Sequence, residues 1–164
     1  MENHVEVFRA SLRRCLASGD FLPQFYHRLL SSSAEVRQKF ENTDLDRQAR
    51  ILEDSLYMLA VAAEAAQPSE EVSPAWTEMS RLAHMHDRDH LDIRPGLYDL
   101  WLHCLLEAAR SHDPEFSPDI EEDWRRTLEI GIEYLRSHHD PVTPGAKPAL
   151  GAARSLPLGH ESRG

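Results

Sequence analysis

Cysteine is scarce in this chain. Only Cys15 and Cys104 occur, far apart and each on an apolar helical face. That excludes a disulfide framework and suits buried thiols in a reducing compartment. Long apolar runs are missing as well: no uninterrupted stretch approaches the roughly 20 residues that span a bilayer. The opening MENHVEVFRA lacks the basic start and apolar stretch of a secretion signal. A membrane partner is thereby excluded, and the expected compartment is the cytoplasm. Positive charge is in deficit, with 18 Lys and Arg against 28 Asp and Glu, for a net charge of -10. Affinity for a nucleic-acid backbone comes from clustered cations, so nucleic acid is excluded as a partner. Strand-like alternation and internal repeats are also absent.

What is present is a helical pattern at almost every position, in a length that suits one domain with a sizeable core. The expected fold class is all-α. A first helix buries Val5, Phe8, Leu12, Cys15 and Leu16 and ends at Gly19. A second starts near Asp20, tolerates Pro23 in its first turn, and buries Phe25, Leu29 and Leu30. Ser32 and Glu35 have capping-box spacing for a short third helix ending near Phe40. Thr43 can cap the longest helix, whose inner stripe reads Leu45, Gln48, Ala49, Leu52, Leu56, Leu59 and Ala63. After a loop around Pro68, a helix from about Pro74 buries Met79, Leu82 and Ala83. A helix from Pro95 buries Leu97, Tyr98, Trp101, Cys104, Leu105 and Ala108. A last helix, capped by Ser117, buries Ile120, Trp124, Leu128, Gly131 and Leu135. From Asp140 the chain turns rich in proline and glycine, which reads as a disordered tail over 140–164 behind a folded domain over 1–139. The tail carries a net charge of +1, so the body carries the acidity.

Three polar residues interrupt the apolar faces: Tyr26, Gln48 and His86. A buried polar group must find a partner, and each alone has an ordinary explanation as a packed core residue. His84 falls off the face that holds His86. His86 and His90 are spaced as zinc ligands one helical turn apart. That set is incomplete, because His84 would come from a different helix face and no cysteine or carboxylate cluster completes it.

Taken together, the order of these residues resembles the globin family, in particular bacterial single-domain haemoglobins and the haem domain of flavohaemoglobins. The resemblance runs from about Phe21 to Leu135. It rests on Phe25-Tyr26 followed by Leu29-Leu30 and Phe40, on Leu45, Gln48, Leu52 and Leu56 along the long helix, and on Leu82 four residues before His86. Ile93-Arg94-Pro95 and Trp124 are similar to the family as well. The resemblance implies a three-over-three helical sandwich holding haem b, iron protoporphyrin IX. His86 would be the proximal iron ligand, and Phe40, Leu52, Ile93, Tyr98 and Arg47 would surround the cofactor. Tyr26 and Gln48 would face oxygen or nitric oxide at a six-coordinate iron. Counting from Phe40 without a gap would put Arg47 in the distal place. Periodicity favours Gln48, which shares a face with Leu45, Leu52 and Leu56, whereas Arg47 aligns with Ile51 and Ser55; Arg47 then reaches solvent or a haem propionate.

These residue types suit the chemistry. Neutral imidazole is a firm axial donor that leaves the sixth position open. A diatomic ligand that gains negative charge is retained by fixed donors, which a Tyr hydroxyl and a Gln amide both are. The flavohaemoglobin family also stiffens its proximal His with a Tyr and a Glu. Tyr98 resembles that Tyr, but His138 or His139 stands where the Glu would fall, so a strongly electron-pushing proximal triad is not expected. Oxygen binding is the expected role, and nitric oxide dioxygenase activity would need an external reductase. The alternative is a haem-free globin-fold regulatory or interaction module with side chains filling the pocket.

Overall fold

The computed structural model describes residues 3–65 and 74–140. The expected loop around Pro68 and all of the tail beyond Asp140 lie outside the described residues. Seven helices and no strands occur among the described residues: α1 (His4–Ala17), α2 (Phe21–Ser32), α3 (Ala34–Lys39), α4 (Leu45–Glu64), α5 (Pro74–His86), α6 (Pro95–His112) and α7 (Pro118–Ser137). They pack as two layers. α1, α4 and α5 form one, and α2, α6 and α7 the other, with α1, α4 and α5 all crossing α7 and α2 also meeting α4. None of the described helices is long and apolar enough to cross a membrane.

The core follows the helical stripes. Val5, Phe8, Leu12 and Cys15 from α1, Leu52, Leu56 and Leu59 from α4, and Trp124, Leu128, Ile132 and Leu135 from α7 are all buried. The α4–α7 crossing is close: a Cβ added at Gly131 would lie 2.2 Å from a Leu59 methyl and would require that side chain to move. At the far end, Trp124 Nε1–H donates to Ser11 Oγ at 2.9 Å, and Ser11 Oγ–H donates to Asp113 at 2.6 Å. Arg14 clamps the same carboxylate with two bonds of 2.6 and 2.9 Å. Burial opposes ionisation of Asp113, but Arg14, Ser11 and the Glu115 N–H outweigh it and hold its carboxyl below the ordinary value. Both cysteines are buried and free, as their apolar faces implied.

Helix ends depart from expectation by one residue in two places. Ser33, whose backbone is extended, caps α3 by accepting from the Val36 N–H at 3.3 Å. Ser32 is still helical and turns its hydroxyl back to the Arg28 carbonyl at 2.6 Å. Glu35 is drawn out of the capping box into a two-bonded pair with Arg94. Asp44, not Thr43, caps α4, accepting from the N–H groups of Asp46 and Arg47 at 3.1 and 3.2 Å. A carboxylate suits the positive end of a helix better than a hydroxyl. Leu45 is 37% exposed: it sits in the first turn of α4, ahead of the crossing that buries the rest of its stripe.

Candidate functional site

His86 is the last residue of α5. Its ring is half-buried, and Nδ1–H donates to the carbonyl of Leu82, four residues back, at 2.8 Å. The leucine read from the sequence is thus the residue that fixes the imidazole's tautomer, leaving the Nε2 lone pair free. Burial holds the His86 pKa below its ordinary value, against the opposing pull of the Leu82 bond, so the ring is neutral at neutral pH. The helix stops here because the chain turns back on it. Leu91 N–H and Ile93 N–H donate to the Met85 and His86 carbonyls at 3.1 and 3.0 Å, and Asp92 takes a left-handed conformation with φ 50. Arg88 N–H donates to the His139 carbonyl at 2.8 Å, and His139 pairs with Asp92 at 2.8 Å. The turn is therefore fastened to the end of α7.

On α2, Tyr26 is buried with its ring edge-on to Phe25 at 5.0 Å and to Phe40 at 5.8 Å. Its hydroxyl reaches the Gln48 backbone carbonyl at 3.4 Å, a long and weak bond. Burial pushes the phenol's pKa up, so it remains a proton donor at any physiological pH. Gln48 is half-buried one turn before buried Leu52, whereas Arg47 is exposed, as is Ile51 at 45%. The structure thus brings Tyr26, Phe40 and Gln48 together and turns Arg47 to solvent.

Tyr98, near the start of α6, is buried, and its hydroxyl has no hydrogen-bond partner among the described residues. Burial pushes its pKa up to about 12, with a small opposing effect from Arg136. An unanswered buried hydroxyl costs about 1 to 3 kcal/mol. Ile93, just before α6, is half-buried against the core. Neither residue that replaces the expected Glu pairs with His86: His138 donates to the Tyr134 carbonyl at 2.7 Å and His139 bonds Asp92.

His90 lies in the turn that follows α5, not on the helix. The helix ends at His86, so His90 is not one turn beyond it on the same face. Instead His90 folds back onto Asp87 at 2.6 Å, with its ring 4.2 Å from that of His84. A carboxylate does stand beside these histidines, and His86 is not part of their group. Asp87 was not singled out in the sequence. Its signal was available: an Asp at the end of a helix, two residues before an N–H that it can accept in an Asx turn.

Comparison with known proteins adds three findings. The family model described as Globin matches residues 23–133. Among solved structures, a Pseudomonas aeruginosa PAO1 protein described as structurally highly homologous to a human hemoglobin superposes with a TM-score of 0.75. The two are 34% identical, and the match covers 84% of this chain and 98% of the other. No curated protein matches.

Proposed function

This chain belongs to the globin family, and on that premise we propose that it holds one haem b through His86 and binds oxygen, or a related gas such as nitric oxide, between Tyr26 and Gln48. The observation that carries the reading is the state of His86: Nδ1–H is committed to the Leu82 carbonyl, burial keeps the ring neutral, and Nε2 is free to ligate. The buried donors fit the cofactor as well. Tyr98 keeps a hydroxyl with no partner among the described residues, which a bound polar group would answer. When bound, haem supplies an iron whose sixth position takes a diatomic gas reversibly.

The chain's own residues do the rest. His86 is backed by a neutral carbonyl and not by a carboxylate. That keeps the imidazole a moderate donor and favours gas binding over peroxide cleavage. The Tyr26 hydroxyl, held only by a long bond, turns at little cost toward a ligand that carries negative charge. The Gln48 amide adds a second donor from α4. Phe40 and Leu52 exclude bulk water on that side, Ile93 and Tyr98 line the His86 side, and exposed Arg47 is available to a propionate at the rim. Turnover of nitric oxide falls within the same proposal and draws its electrons from an external reductase.

Titration of the purified protein with haemin tests the reading. The expected result is a Soret band that saturates at one haem per chain, with reversible spectral changes of the reduced protein under oxygen. A titration without a stoichiometric end point overturns the haem assignment and leaves the haem-free module.

A further inference from the structure

Next to His86, but turned away from it, lies a group whose purpose the haem reading does not absorb. We propose that His84, Asp87 and His90 form a second metal site, for a divalent cation of the zinc class. One ligand atom from each of the three lies within 4.8 Å of the others. The Asp87 carboxylate is the anchor: it is buried at 3% exposure, and its Oδ1 accepts the Asp89 N–H at 3.0 Å, so its direction is fixed by the turn. His90 Nδ1 stands 2.6 Å from Oδ1, and His84 Nδ1 stands 3.5 Å from Oδ2.

Ligands of a tetrahedral zinc lie about 2.0 to 2.2 Å from the ion, which places neighbouring donors about 3.3 Å apart. The His84 contact has that separation already. The His90 contact is to the other oxygen, Oδ1, and is too short for an intervening ion, so binding would turn the exposed His90 ring toward the Oδ2 side. Two nitrogens and one oxygen satisfy a borderline divalent cation, with the fourth position left to water. Capping of the turn accounts for the Asp87–His90 pair but not for His84, which reaches the same carboxylate from the preceding helix turn. Neighbouring arginines do not compete for it: Arg81 pairs with Glu78 and Arg88 with Asp140. The site is independent of haem, because His86 faces the Leu82 carbonyl and contributes nothing to it.

Equilibrium dialysis of the full chain against zinc, with zinc and iron counted by elemental analysis, is the test. The wild type should retain one zinc that His84→Ala and His90→Ala each weaken by about tenfold or more, with iron content unchanged. His86→Ala should show the opposite pattern, losing iron and keeping zinc. Both His84 and His90 are exposed, so their variants fold, and circular dichroism checks that they do. Absence of saturable zinc binding in the wild type, or zinc retained equally by His84→Ala, overturns the proposal.

Discussion

Two polar clusters among the described residues spend their hydrogen-bonding capacity in opposite ways. Between α1, α6 and α7, the Trp124 indole, the Ser11 hydroxyl, the Asp113 carboxylate and the Arg14 guanidinium answer one another within 2.9 Å. Between α2, α4, α5 and α6, Tyr26 has a bond of 3.4 Å, Tyr98 has no partner among the described residues, and His86 uses one ring nitrogen and leaves the other open. Unused capacity in an interior costs stability. The first cluster joins α1, α6 and α7, whereas the second leaves hydrogen-bonding capacity unused among the described residues.

The contrast breaks most visibly at His86. His86→Ala should abolish stoichiometric haem binding, while His84→Ala and His90→Ala retain it, as read from Soret absorbance per chain. Retention by the His86 variant would mean that another side chain ligates.

Asp113→Ala should be the largest stability change, about 3 to 5 kcal/mol in denaturant unfolding, because it strips the partner from a charged, buried network. Its pH signature has a definite sign. The folded carboxyl lies below its ordinary 3.8, so its contribution is complete above that value and disappears as pH falls through the lower folded value. The variant's stability should therefore fall less steeply below about pH 4 than the wild type's. An unchanged acid limb would remove Asp113 from the network.

Tyr26→Phe removes a donor and keeps the ring, so gas entry should change little while oxygen dissociation accelerates. A bond to a partly charged acceptor is worth about 1.5 to 3 kcal/mol, or roughly ten- to over a hundredfold in off-rate. Gln48→Leu should act in the same direction but less, because its amide rides on a flexible stem. Stopped-flow displacement reads both, and unchanged rates in both variants would take the pair out of the site.

The smallest effect sharpens the comparison most. Tyr98→Phe deletes a hydroxyl without a partner among the described residues, so the haem-free protein should gain about 1 kcal/mol, the reverse of the Asp113 result. A loss in thermal or chemical melts would show that the hydroxyl was satisfied after all.

Much of this organisation was legible beforehand. The period of the apolar residues placed six of the seven described helices and a capping signal the short third one, and the polar exceptions on those faces picked out Tyr26, Gln48 and His86. Helix ends were less legible. Two adjacent serines, Ser32 and Ser33, both have capping chemistry, and only the backbone angle at Ser33 decides between them. The Asp87 cluster was harder to read, although the Asp at the helix end offered a signal. Spacing alone sets His86 and His90 one helical turn apart, which holds only where the helix continues, and here it stops at His86. The turn that begins at Asp87, where the His90 N–H donates to the Asp87 carbonyl at 3.2 Å, brings His90 back over His84 instead.

The two buried thiols divide between the same regions. Cys15 sits against the Ala109 carbonyl, between α1 and α6, and burial followed by the nearby Asp113 charge pushes its pKa up to about 12. Cys104 lies beside Ser32 of α2, and burial pushes its pKa up as well. Nucleophilic attack requires the thiolate and access to it, so neither sulfur reacts with an alkylating reagent while its surroundings stay closed. The chain thus carries two native chemical clocks. The labelling rate of Cys15 times the opening of the α1–α6 seam, and that of Cys104 times the separation of α2 from α6.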